Sequence, residues 1–251
     1  MNFHKKLIAI LALLPGLALA ASGGHALDKA PARASMTSLQ NGAKLFVNHC
    51  LNCHSATSMR YNRLKDLGLD DKQIVDNLLF TQDKVGGLMT TALRPADAKE
   101  WFGVVPPDLS VIARARASPS GSGPDYLYTY LRTFYKDDTT PTGWNNLVMP
   151  NVAMPHVMWQ MQGIRTVKMV EQVDSHGKKA HVFGGFEQVT PGSMTPLQFD
   201  EATADLVAYM GWMAEPAAAT RKKLGVWVLF LMSFFVLFAW LLSKSYWKDV
   251  K

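Results

Sequence analysis

Cysteine is nearly absent from this chain of 251 residues: Cys50 and Cys53 are its two. Both sit in one pentapeptide, so no thiol is left to staple distant segments, and a disulfide-built scaffold is excluded. A four-ligand zinc site needs a second Cys or His pair at short spacing, which His4, His25, His49, His156, His176 and His181 do not supply. No internal repeat is visible, nor an excess of one charge over the part that folds. The chain is formally +6, yet residues 22–216 carry 18 Lys and Arg against 19 Asp and Glu, a net of −1. The basic surplus sits at the two ends. It gives no support to a nucleic-acid partner and reads instead as a signal of topology.

The first 20 residues combine Lys5 and Lys6, an apolar run over residues 7–14 and the small-residue site Ala18-Leu19-Ala20. This is the pattern of a secretory signal peptide, too short and too interrupted by Pro15-Gly16 to span a membrane. Cleavage is expected after Ala20, with Ala26 as the alternative. Near the other end, residues 224–242 lack any charge. At about 1.5 Å per residue they reach roughly 28 Å, close to the thickness of a bilayer's hydrocarbon core. Arg221, Lys222 and Lys223 precede them, Lys244, Lys248 and Lys251 follow, and Trp240, Tyr246 and Trp247 stand where an aromatic belt belongs. One transmembrane anchor is predicted. The expected plan is a signal peptide (1–20), a flexible arm (21–36), an external domain (37–216), a basic juxtamembrane hinge (217–223), the anchor (224–242) and an internal tail (243–251).

Cys50-Leu51-Asn52-Cys53-His54 is a C-x-x-C-H run, the attachment signature of a c-type haem. Two thiols two residues apart can add to the two vinyl groups of one porphyrin, and the adjacent imidazole reaches the iron as an axial ligand. A thioredoxin-like centre would sit near a βαβ pattern, whereas the flanks here read as helix.

Leu39, Gly42, Ala43, Phe46 and Val47 recur at helical spacing behind a cap at Ser38 and lead into Cys50. A glycine inside a helix costs about 1 kcal/mol relative to alanine, so Gly42 predicts a second helix in close approach. Residues 196–213, with Phe199, Ala202, Leu206, Tyr209, Met210 and Met213 on one face, are its best mate. Shorter helices are expected at 71–79, 94–101 and 125–134, and Pro106-Pro107-Asp108-Leu109-Ser110 stops and restarts the chain. Two β-prone runs, 165–173 and 180–189, flank Asp174-Ser175-His176-Gly177 and predict a hairpin insertion, with His176 and His181 in solvent. The sixth iron position stays open at this level. Met149 and Met154 each precede a proline in one loop, and His156 competes.

The arrangement resembles the cytochrome c1 family, in its bacterial form. The resemblance rests on Asn48-His49-Cys50-Leu51-Asn52-Cys53-His54-Ser55, Met59-Arg60-Tyr61, Pro106 to Ser110 followed by Arg114-Ala115-Arg116, Asp125-Tyr126, Asn151-Val152-Ala153-Met154-Pro155, and Trp212-Met213-Ala214-Glu215-Pro216 before one C-terminal span. It implies a mainly α fold: a class I cytochrome c-like haem domain with loop and β-hairpin insertions, plus one C-terminal transmembrane helix. It implies one covalent haem c on Cys50 and Cys53, with His54 and Met154 as iron ligands. Arg116 and Tyr126 are implied to approach a propionate, and Pro107 to pack near the haem.

The same resemblance implies a one-electron subunit of quinol–cytochrome c reductase in the bacterial inner membrane, its haem domain in the periplasm. Its implied partners are cytochrome b, a Rieske iron-sulfur protein and a cytochrome c acceptor, in a dimeric complex. Two rivals share the motif: another membrane-anchored c-type cytochrome, such as an oxidase subunit or tethered shuttle, and a haem sensor with an exchangeable sixth ligand. Asp70, Asp71, Asp137 and Asp138 are candidates for steering a basic acceptor.

Overall fold

The computed structural model describes residues 25–173 and 179–249; the expected signal peptide and the hairpin turn with His176 lie outside them. Helix α1 is Met36–His49. Its cap is Ser35 rather than Ser38: Ser35 is extended, and its hydroxyl accepts from the Ser38 N–H. The buried face of α1 contains Leu39, Gly42, Ala43, Phe46 and Val47, as the spacing requires. There follow a 3-10 helix at Tyr61–Leu67, then α2 (Asp71–Asn77), α3 (Pro95–Phe102), α4 (Ile112–Ala115), α5 (Gly123–Arg132), α6 (Trp159–Gln162), α7 (Pro196–Ala214) and α8 (Ala218–Tyr246).

Helix α7 starts from a reciprocal cap between Thr195 and Gln198 and crosses α1 at Gly42. A Cβ on Gly42 would stand 2.1 Å from the Asp205 carbonyl oxygen and 2.6 Å from Tyr209 Cβ, which is the close approach the glycine announced. Phe46 and Tyr209 pack their rings at 5.5 Å beside that crossing, and both are fully buried with Leu51 and Leu206. Each such side chain contributes about 1.5–3 kcal/mol by leaving water. Because α1 runs directly into Cys50, this crossing sets the position of the cysteine pair.

Among the described residues, three two-stranded antiparallel ribbons decorate the helices: β1 (Ala56–Arg60) with β2 (Leu88–Met89), β3 (Phe134–Lys136) with β4 (Trp144–Asn146), and β5 (Gly163–Val173) with β6 (Lys179–Pro191). The last is the predicted hairpin. The two short ribbons went unread in the sequence, because two to five residues are too few to show a period.

Residues 25–35 have no regular structure, but the arm expected to be loose is fastened to α5. Asp28 N donates to Thr129 Oγ1 at 2.8 Å, and Ala30 N donates to Asp125 Oδ1 at 2.9 Å. Lys29 Nζ reaches Asp125 Oδ2 at 2.9 Å, and Asp28 joins Asp200 on the Arg132 guanidinium. Asp125 also accepts from the Ser122 N–H in the cap of α5. Burial alone would raise the Asp125 carboxyl, but these hydrogen bonds outweigh it and hold the group well below the usual carboxylate range. Its folded value therefore lies below its unfolded one. The stabilisation is complete above the ordinary aspartate value of about 3.9 and drains away as pH falls through the folded value. Asp125→Asn is expected to cost about 1–3 kcal/mol at neutral pH, and its thermal unfolding midpoint should fall less steeply with acid than that of the wild type.

Helix α8 runs unbroken through the basic segment that was expected as a hinge, since nothing between Ala218 and Lys223 resists helix and Arg221 pairs with Glu215. The break between α7 and α8 falls at Glu215–Ala217 instead. It is the one described helix long and apolar enough to cross a membrane, and none of its residues is buried by the rest of the chain. Such a helix, apolar all round, fits lipid or a partner helix rather than water.

Candidate haem-binding site

Helix α1 ends at Cys50, and the chain turns back on itself there: Cys53 N and His54 N both donate to the Cys50 carbonyl, at 3.1 and 2.9 Å. The turn brings two free thiols and an imidazole to one spot. The Cys50 thiol is pushed up to about 12, by burial first and by Cys53 second. His54 Nδ1 lies 2.7 Å from the Pro107 carbonyl oxygen. That oxygen can only accept, so Nδ1 carries the proton and Nε2 keeps the lone pair. Burial lowers the proton affinity of the His54 ring against the opposing pull of Pro107 and Asp108, which favours the neutral ring a metal needs.

The Pro106–Ser110 loop is tied to β1 through Asp108, whose carboxylate accepts from Thr57 N at 2.8 Å and Thr57 Oγ1 at 2.9 Å. Asp108 also accepts from the Ser110 N–H at 2.8 Å, while α4 begins without a side-chain cap. Its larger effect is to hold Pro107 against His54.

A cavity of about 430 Å³ opens above this turn. Cys50, His54, Pro107, Arg116, Tyr126 and Met154 all border it, among mostly apolar neighbours that include Leu109, Leu127 and Met210. A smaller recess of about 80 Å³ is bordered by Cys53 and again by His54, Pro107 and Met154. The seven residues singled out in the sequence thus gather around two adjoining spaces. Arg116 reaches Tyr126 because α5 packs hard on α4: a Cβ on Gly123 would lie 1.8 Å from the Ala113 carbonyl oxygen. The Arg116 guanidinium sits 5.1 Å above the Tyr126 ring, and no acidic side chain pairs with it among the described residues. An apolar cavity with a free guanidinium, a phenol and one thiol, adjoining a recess with the other thiol, suits a flat, mostly apolar macrocycle that carries carboxylates.

The loop bearing Met154 is pinned by two asparagines of β4 that sequence reasoning passed over. Asn146 Oδ1 accepts from Val148 N at 2.9 Å and Met149 N at 3.2 Å, while its amide donates to the Tyr130 carbonyl at 2.7 Å. Asn145 Oδ1 accepts from Asn151 N at 2.8 Å, and Asp137 in turn holds the Asn145 amide. Asn151 itself adopts a left-handed φ of 59°, which asparagine tolerates. A readable signal existed in the Asn-Asn pair directly before a proline-punctuated loop.

Three candidates for the sixth ligand separate in space. Met154 borders both spaces with His54, and its sulfur accepts from the Tyr130 hydroxyl at 3.3 Å. Met149 borders the larger cavity alone. His156 borders neither; it is buried flat against Phe134 at 4.9 Å with Trp144 edge-on, and burial drives its pKa down to about 3. It is a neutral core ring. Burial, with Tyr126 alongside, raises the Tyr130 phenol far above its ordinary range, so it keeps its proton.

The four acidic residues considered for steering are engaged locally. Asp70 caps α2, Asp71 pairs with Lys65, Asp137 holds Thr139 and Asn145, and Asp138 pairs with Lys136.

The model of a family described as Cytochrome C1 family matches residues 29–250. Among curated proteins, the chain is 45% identical over 251 residues to a protein named ammonia monooxygenase gamma subunit from Nitrosomonas europaea, covering 100% of both chains. It is 42% identical over 246 residues to cytochrome c1 of Allochromatium vinosum, covering 97% of this chain and 98% of that one. It is 30% identical over 240 residues to the mitochondrial cytochrome c1 haem protein of Saccharomyces cerevisiae, covering 85% and 67%.

Proposed function

The chain belongs to the cytochrome c1 family, whose members are electron carriers within a membrane complex, and from that premise we propose that it is the haem relay of a bacterial quinol–cytochrome c reductase. The reading is carried by one observation: His54 and Met154 border the same two spaces as the cysteine pair. A bound haem c supplies an iron that takes up and releases a single electron. The chain's own residues do the rest. Cys50 and Cys53 tether the ring, and His54 presents the lone pair of Nε2 while Pro107 fixes the imidazole's orientation. Met154 supplies the second ligand from its pinned loop, and a His/Met pair favours a high potential. Arg116 and Tyr126 hold a propionate, and the apolar walls keep water away.

No proton or substrate bond changes hands at this site, so rigidity is what its architecture has to provide. In this reading the electron comes from a Rieske iron-sulfur protein and leaves to a cytochrome c, while cytochrome b oxidises the quinol in a dimeric complex. The haem domain stands in the periplasm and α8 anchors it in the inner membrane. Purification of the tagged full-length chain from solubilised membranes is expected to bring down cytochrome b and Rieske protein, with quinol-dependent reduction of cytochrome c in the same fraction.

The full-length likeness to a protein named as an ammonia monooxygenase subunit favours a second reading, in which the same relay serves a monooxygenase. Recovery of monooxygenase subunits in place of cytochrome b and Rieske protein would decide for it.

A further inference from the structure

Tyr130 is the one described side chain with a hydrogen bond to the sulfur of Met154, its hydroxyl donating at 3.3 Å. The residue is held independently of that bond. Its ring stacks on Tyr126 at 5.9 Å and meets Phe134 edge-on at 5.1 Å. Its carbonyl accepts the Asn146 amide at 2.7 Å, and Asn146 organises the start of the loop that carries Met154. Tyr130 therefore grips the methionine loop at two points, through its backbone and through its hydroxyl. A phenylalanine would satisfy the ring packing equally well, so packing does not account for the oxygen.

We propose that Tyr130 is a positioning residue for Met154, orienting its thioether and setting the electron affinity of the centre through the donated hydrogen bond. The proposal rests on Met154 being the second axial ligand. A thioether sulfur has two lone pairs, of which ligation uses one and the phenol can engage the other. Sulfur is a weak acceptor, so the bond adds little to folding. Its effect falls on the sulfur's electron density instead. A donated proton draws density off the sulfur and weakens its support of the more oxidised metal, which favours the reduced state.

The test is Tyr130→Phe in the full-length, haem-loaded protein in its membrane, with Met154→Leu alongside. Haem content and unfolding midpoint of Tyr130→Phe should match the wild type. Its reduced-to-oxidised equilibrium should move about threefold toward the oxidised form, a fall of about 28 mV at 59 mV per tenfold. A titration curve superimposable on that of the wild type, beside a Met154→Leu that has shifted, overturns the role of Tyr130 and leaves the ligand reading standing. A Met154→Leu with unchanged spectrum and potential overturns both. The unmodified protein gives a readout that no folding defect can cloud. In the reduced state, NMR should find the Tyr130 hydroxyl proton slow to exchange and close to the Met154 methyl; a fast-exchanging hydroxyl without that proximity counts against the proposal.

Discussion

Gly42→Leu is expected to leave no folded, haem-loaded protein in the membrane, and Gly42→Ala to lose about 2 kcal/mol despite alanine's better helix propensity. The added Cβ has no room: the Asp205 carbonyl oxygen and Tyr209 Cβ already stand 2.1 and 2.6 Å from where it would lie. Alanine gains about 1 kcal/mol as a helix former, but relief of the overlap requires α1 and α7 to separate along their whole contact. Phe46 and Tyr209 pack in that contact, so separation loosens the most buried part of the core. For a domain of this size, 2 kcal/mol lowers the melting temperature by roughly 4–8 °C. The measurement is thermal unfolding of the purified chain together with its haem-to-protein ratio. Because α1 leads into Cys50, haem content should fall along with stability; an alanine variant as stable as wild type would refute the crossing.

Met154→Leu is expected to remove sulfur ligation while leaving the domain folded. Leucine matches methionine in volume, and such swaps usually cost under about 1.5 kcal/mol; it has no lone pair to offer a metal. The reduction potential should drop by more than about 59 mV, over tenfold in the equilibrium, and the reduced protein should begin to bind carbon monoxide. Transfer to a cytochrome c acceptor should slow accordingly. Met149 borders the larger cavity as well, so the control is Met149→Leu, which should leave spectrum and potential as they were. Reversed outcomes for the two variants would hand the ligand role to Met149.

Much of this was legible without coordinates, for local reasons. A C-x-x-C-H run declares its chemistry because ligand and tethers are neighbours in the chain. The helical period of Leu39, Ala43, Phe46 and Val47 is likewise local, and an uncharged 19-residue run flanked by lysines needs no tertiary context to read as a span. Even one long-range contact was readable, since Gly42 inside a helix makes sense only with a close neighbour.

Other features depended on contacts far apart in sequence. The arm at residues 21–36 looked loose because alanine, glycine and proline carry no period, yet the backbone N–H groups of Asp28 and Ala30, meeting Thr129 and Asp125, tie its described part down. Met154 and His156 lie two residues apart, and no spacing rule separates them. The fold turns one toward the spaces bordered by His54 and seals the other among Phe134, Trp144 and Phe199. Sequence by itself therefore pointed to the haem-attachment motif, to His54 as the candidate ligand beside it and to the apolar span, each encoded in contiguous residues. Tertiary structure alone brought Met154, and not His156, to the spaces that His54 borders, put the Tyr130 hydroxyl on its sulfur and pinned its loop with Asn145 and Asn146. The first two of those relations join residues 100 and 24 positions apart along the chain, brought together only by packing.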